Sequence, residues 1–193
     1  MSQPSQAEIF AALQAQSSGS FKRNQPKTFT YDSFLQQQQE EDSSIKPIDQ
    51  LVNKSESLKG DQRLNNRRIY CPRDGCGSLI LMDGVGDLIQ IEEGSILPDD
   101  PASPFSQSSK PYSYWYISSG PFAFENIGFS RPDKTNLNPL PTYTPNDIND
   151  KTQGKVKYLI CAECDLGPLG WSFDGGKAAW LDCKRVRYGE EKK

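Results

Sequence analysis

The chain has 193 residues, 35% of them hydrophobic and 24% charged, a formal net charge of −3 and no histidine. Without imidazole, mixed Cys/His metal sites, Ser-His and Cys-His nucleophilic dyads and histidine acid–base catalysis are excluded together. The acidic balance argues against nucleic acid as the main partner, which requires a concentrated cationic face, and no apolar run approaches the roughly 20 residues of a bilayer-spanning helix.

Residues 1–66 are rich in Gln, Ser, Asn and Lys, and Gln36 to Asp42 is the most biased stretch. So few apolar side chains cannot offset the backbone entropy of ordering, which predicts a largely disordered, low-complexity tail. Two pieces have helical spacing: Gln6 to Gln16, with Ile9, Phe10 and Leu13, and Thr30 to Gln39, with Tyr31, Phe34 and Leu35. Either has the pattern to dock on the core or on a partner. The Met1-Ser-Gln-Pro start carries neither the basic nor the apolar block of a secretory signal, so a cytoplasmic, reducing setting is expected.

The character changes at Arg67. Arg67–Tyr70 reads as a strand that delivers Cys71 to a tight turn containing Pro72 and Gly75. Leu79–Leu81 and Asp87–Ile91 read as strands on either side of a turn at Asp83-Gly84. Residues 92–111 form a Pro/Ser/Asp-rich surface loop. Tyr112–Ile117 is the most aromatic stretch and suits a pleated strand. Gly120–Phe129 holds three phenylalanines, too apolar for an idle loop and too interrupted for one regular strand. After a second excursion over 131–154, Lys155–Ile160 is a strand that runs into Cys161. A bend from Asp165 to Trp171 follows, and Ala178–Val186 closes the domain with Ala179, Leu181 and Cys183 on one face. The last four residues, 190–193, are expected to fray.

Four sulfurs organise this pattern: Cys71 and Cys76 in Cys-Pro-Arg-Asp-Gly-Cys, and Cys161 and Cys164 in Cys-Ala-Glu-Cys. Short Cys-x(2–4)-Cys turns let two thiolates hold one ion while backbone N–H groups point at the sulfurs. Disulfides and reduced core thiols are the alternatives; an odd total of five cysteines argues against complete disulfide pairing. We read one structural zinc ion that ties together two ends of a mainly β domain over residues 67–189. A core this interrupted gains on the order of 10 kcal/mol from such an ion.

Trp115, the segment Phe122-Ala-Phe-Glu-Asn-Ile-Gly-Phe129, and Lys157-Tyr-Leu-Ile-Cys-Ala-Glu-Cys-Asp-Leu-Gly-Pro-Leu-Gly-Trp171 together form a long joint signature. It closely resembles the small zinc-binding Rab-interacting factors, the suppressor-of-sec-four proteins of yeast and mammals. The resemblance runs from about Arg67 to Tyr188. It implies a twisted, tent-like β fold held at one end by a four-cysteine zinc site. It also implies a function without catalytic residues: binding exocytic Rab-type small GTPases, in the GDP-bound or nucleotide-free form, promoting GDP release and stabilising the empty protein. The chain would be a monomer, recruited to secretory membranes through the GTPase without inserting itself. Three features depart from the family. The first knuckle is Cys-x4-Cys where Cys-x2-Cys is usual, Gly120-Pro121 replaces an acidic and a large apolar residue, and the N-terminal tail is longer.

For the partner contact we single out Trp115, Phe122, Phe124, Glu125, Asn126 and Phe129. Aromatic anchors suit an interface, and a carboxylate with an amide can replace hydrogen bonds lost by a displaced switch segment. A core role for Phe124 and Phe129 is the competing reading. Trp171 is expected as a lid over the zinc site, and Asp165 as an orienting group for the second knuckle. Two other function classes are open. One is a methionine-sulfoxide-reductase-like zinc enzyme using Cys183, which needs an activated thiolate. The other is a zinc ribbon that binds nucleic acid, which needs cations where Asp74, Glu163 and Asp165 stand.

Overall fold

The computed structural model describes residues 26–39, 47–57, 60–91, 97, 103–105, 111–133 and 155–190. Among these, the chain is mainly β. A short strand β1 (Thr28–Thr30) leads into helix α1 (Tyr31–Gln39), and a 3-10 turn at Pro47–Leu51 leads into the hairpin β2 (Val52–Ser57) and β3 (Gly60–Asn65). Then come β4 (Ile69–Tyr70), β5 (Leu79–Leu81), β6 (Asp87–Ile91), β7 (Tyr112–Ile117), a 3-10 turn at Pro121–Ala123 and β8 (Ile127–Phe129). The fold closes with β9 (Val156–Cys161), β10 (Gly170–Phe173), β11 (Ala179–Asp182) and β12 (Arg187–Gly189).

The strands form two sheets. The smaller has the order β1-β12-β4-β5 and the larger β2-β3-β6-β7-β11-β10-β9-β8. Strand alternation decides what each face of the large sheet carries. Trp115 lies opposite both Leu88 and Leu181. That face joins Ile69, Leu81 and Tyr188 of the small sheet in the main core. On the other face Trp180 is registered with Tyr116 and Trp171. Trp171 and Trp180 stack with ring centroids 5.2 Å apart, and Tyr114 meets Trp171 edge-on at 4.5 Å. Leu97, from the first loop, is buried in that second aromatic layer.

Among the four polar side chains buried in the described residues, one ties several loops together. Asn65 is 0% exposed, and its amide donates to the Arg67 and Met82 carbonyls while its Oδ1 accepts from the Val85 and Gly86 N–H groups. All four of its hydrogen-bonding positions are used, which fixes the path from β3 past β4 to the turn before β6.

Residues 26–39, 47–57 and 60–66, expected as part of an unpacked tail, contribute to this core. Phe29 pairs with Tyr188 across β1 and β12, and Phe34, Ile48, Leu51 and Val52 are buried in the main cluster. The expected helix at Thr30–Gln39 is present as α1, with Phe34 as its docking residue. Ser33 and Thr30 cap its start by exchanging side-chain and backbone hydrogen bonds. These described segments pack on the domain with few apolar residues, because a sheet edge supplies the partner surface. The expected helix at Gln6–Gln16 and the fraying at 191–193 lie outside the described residues.

Candidate metal centre and contact loop

Each cysteine pair sits on a turn that its strand feeds. β4 delivers Cys71, whose N–H donates to the Ser78 carbonyl at 2.8 Å, and the Cys76 N–H closes the turn on Arg73 at 3.2 Å. Gly75, at φ 82, supplies the left-handed residue that a four-residue spacer needs to bring Cys76 back. β9 delivers Cys161; the Asp165 N–H returns to the Cys161 carbonyl at 2.9 Å, and Asp165 itself takes the left-handed conformation at φ 57. Its role in the knuckle is therefore carried by its backbone, as an aspartate that tolerates this region.

The four Sγ atoms lie within 4.8 Å of one another. Cys71 to Cys164 measures 3.6 Å and Cys76 to Cys161 measures 3.8 Å. Four sulfurs about 2.3 Å from a zinc ion stand about 3.8 Å apart at the corners of a tetrahedron, so the donor set fits one such metal. The wider Cys-x4-Cys knuckle thus reaches the same geometry as the narrower one.

Burial pushes the Cys71 and Cys76 thiols up, opposed by backbone N–H groups of Arg73 and Ser78 respectively. At Cys164 burial also works upward, but the Leu166 N–H and the three neighbouring sulfurs outweigh it and hold that thiol below its ordinary value. A cation held among the four sulfurs would offset the cost of ionising the two raised thiols, Cys71 and Cys76.

The aromatic segment is bolted to this cluster. Gly120 enters the 3-10 turn at φ 79, and a Cβ there would stand 2.4 Å from the Lys177 carbonyl oxygen, so only glycine fits. After the turn, Phe124 bridges to Leu81, and the Glu125 N–H donates to the Ile80 carbonyl at 3.0 Å. The Asn126 amide donates to the Leu79 carbonyl at 2.8 Å, and the Asn126 carbonyl accepts the Ala162 N–H inside the second knuckle at 3.1 Å. β8 then pairs along β9, Ile127 opposite Cys161. The segment stitches the β5 edge of the small sheet to the large sheet beside the sulfurs.

The six residues expected at the contact surface separate accordingly. Phe122 is 98% exposed at the head of the turn and Phe129 37% exposed. Glu125 is exposed as well. Phe124 is half-buried against the main core, and Asn126 is half-buried with its amide committed to Leu79. Trp115 does not belong with them: it is 0% exposed, and its indole N–H donates to the Tyr188 hydroxyl at 3.0 Å. It lies on a central strand with apolar partners on both sides, where no surface is left to offer. Trp171 is likewise not a lid over the sulfurs but part of the second aromatic layer.

Cys183 is fully buried, and burial, reinforced by Asp182, pushes its thiol well up. A reactive thiolate requires the opposite environment, so the arrangement gives no support to a reductase nucleophile. Near the knuckles, Asp74 is paired with Arg187, an arrangement unlike a cationic strip for phosphates.

The family model described as "Mss4 protein" matches residues 64–188, more than half of the chain. The chain belongs to the Mss4 family. A "Guanine nucleotide exchange factor MSS4 homolog" of Drosophila melanogaster is 23% identical over 122 residues, which cover 63% of this chain and 84% of the fly protein. The matched span begins inside β3, so β1, α1 and β2 stand N-terminal to it. No helix among the described residues is long and apolar enough to cross a membrane.

Proposed function

We propose that this Mss4-family chain is a release factor for an exocytic Rab-type small GTPase: it binds the GDP-loaded protein, promotes GDP loss and stabilises the nucleotide-free form. A structural zinc ion on Cys71, Cys76, Cys161 and Cys164 holds the contact loop in place. The chain acts as a cytoplasmic monomer that reaches secretory membranes through its GTPase. The observation that carries this reading is Phe122, a large apolar side chain 98% exposed on a backbone fixed by Gly120 on one side and by the knuckle on the other. A monomeric domain gains nothing from such an exposed ring, whereas an interface uses a pre-organised aromatic anchor.

Release by binding alone requires only tighter association with the empty conformation than with the loaded one, and the preference is reciprocal with nucleotide affinity. A nucleotide held at nanomolar strength represents about 12 kcal/mol, too much for one competing side chain to offset. Phe122 and Glu125 would therefore disorder part of the nucleotide site, with Phe129 extending the apolar contact. Asn126 acts indirectly here, keeping the loop on β5.

Purified protein mixed with a panel of GDP-loaded Rab proteins tests the reading. Stoichiometric acceleration of GDP release from at least one of them, reduced in Phe122→Ala with an unchanged melting temperature, supports it. Equal release with and without Phe122 removes the loop from the mechanism. Elemental analysis of the purified chain checks the metal, expected as one zinc per molecule.

A further inference from the structure

The turn between β10 and β11 touches the contact loop at the loop's first residue. A Cβ on Gly120 would stand 2.4 Å from the Lys177 carbonyl oxygen and 3.8 Å from the Lys177 Cα, so the two backbones meet with no side chain between them. The hairpin is itself anchored. Its turn closes through the Gly176 N–H on the Phe173 carbonyl at 2.9 Å, and the buried Ser172 hydroxyl donates to the Ala178 carbonyl at 2.8 Å. The backbone thus mounts Lys177 beside Gly120, two residues before Phe122.

The hairpin tip carries two charged side chains, and they differ in what they meet. Asp174 is paired with Lys157 at 2.5 Å, whereas Lys177 is exposed and makes no ion pair among the described residues. Its charge is open to a partner. Past Phe122, Glu125 is exposed as well, on a backbone tied to the Ile80 carbonyl of β5. A cation is therefore mounted where the loop begins and an anion where it rejoins the small sheet. A lysine at a hairpin tip is ordinarily a solvated charge; the direct seating of the contact loop on its carbonyl sets this one apart.

We propose that Lys177 belongs to the partner-binding surface: the GTPase presents a carboxylate to Lys177 and a basic side chain to Glu125, on either side of the pocket that takes Phe122. This inference rests on the release-factor reading above. An aromatic anchor alone tolerates several rotations of its partner, and opposite charges at the two ends of its mount select one. Charges at the rim of an interface act on encounter, speeding association in a salt-sensitive way. A desolvated central anchor acts mainly on dissociation. Kinetics therefore separates Lys177 from Phe122.

The test is stopped-flow association of the full chain with a nucleotide-free Rab protein, chosen from the panel as one whose GDP release the parent chain accelerates. Lys177→Glu should slow association about tenfold at low ionic strength, and the deficit should shrink to about twofold or less near 0.5 M salt. Its melting temperature should match the parent's. Lys27 supplies the control, being exposed beside β1, at the opposite edge of the small sheet from the β5 edge that meets the contact loop. Lys27→Glu changes the net charge equally and should leave association within about twofold of the parent. Equal slowing by the two variants, or a Lys177→Glu deficit that persists at high salt, overturns the proposal and leaves Phe122 as the anchor. Failure of the parent chain to accelerate release from any Rab protein of the panel instead overturns the release-factor reading, and the role of Lys177 falls with it.

Discussion

Two regions fasten this molecule, and they do so by different physics. At one end, two turns about ninety residues apart in sequence bring four sulfurs within 4.8 Å of one another, and one cation can hold them. At the other, a mostly polar N-terminal segment lays Phe29, Phe34, Ile48, Leu51 and Val52 into the core and adds β1 to the exposed side of β12. The first fastening is all-or-none, because removing any ligand opens the coordination shell. The second is distributed over several side chains and can be weakened one contact at a time.

The largest effect should come from the cysteine end. Chelating the metal, or Cys71→Ser, removes a contribution on the order of 10 kcal/mol, comparable with the whole stability of a domain. Thermal unfolding followed by near-ultraviolet absorption of the buried tryptophans is expected to lose its cooperative transition. If chelation leaves the melting curve unchanged, the sulfurs are a bystander and the apolar strap alone holds the fold.

Phe34→Ala comes next, at about 3–5 kcal/mol for a phenylalanine that is 7% exposed. The site of the loss sharpens the contrast. A drop in global unfolding free energy means that α1 and the sheets fold as one unit. A global value that holds, with rapid amide exchange limited to residues 28–51, means that the segment docks on a body that is already folded.

A smaller effect depends on pH. Burial, reinforced by Cys183, Asp32 and Asp49, pushes Tyr31 from 10.0 up to about 12. The folded chain then holds the phenolic proton more tightly than the unfolded one. This contribution is fully present below pH 10 and is lost as the pH rises through about 12. Tyr31→Phe should flatten the alkaline fall in urea unfolding free energy relative to the parent chain; parallel curves for the two would place Tyr31 outside the packed strap.

The two fastenings also differ in how well they can be read from sequence. Paired cysteines in tight turns announce a metal by residue type and spacing alone, and β7, with five strand-favouring residues in six, has the expected bounds. The strap is hidden because its apolar positions are sparse, and their burial depends on an edge that only tertiary structure creates. β12 is hidden for a related reason: Arg187-Tyr-Gly189 has little strand character, yet it is paired on both sides, by β1 and by β4. β10 follows a stretch of glycine and proline that reads as a bend and is held by its neighbours β9 and β11. Within the contact set, sequence could not separate Trp115 from Phe122. Both are aromatic in an aromatic region, and only the pairing of Trp115 with Leu88 and Leu181 sends one inward while Gly120 turns the other out.

That last contrast carries the smallest expected effect on stability. Phe122→Ala removes a side chain that is 98% exposed, so the melting temperature should stay within the range of an ordinary surface substitution, about 0.5 kcal/mol. Trp115→Ala, seven positions earlier in the chain, empties a core site and strips the Tyr188 hydroxyl of its donor, at about 3–5 kcal/mol. On nucleotide release the order reverses. If the proposed Rab-type GTPase is the partner, Phe122→Ala should slow its GDP loss by tenfold or more, as expected for an interface anchor worth about 2 kcal/mol. A milder core change, Trp115→Phe, should leave release intact in the fraction that folds. Measuring both quantities on both variants separates anchoring from packing, because a loop that served only to cover the core would lose stability and release together.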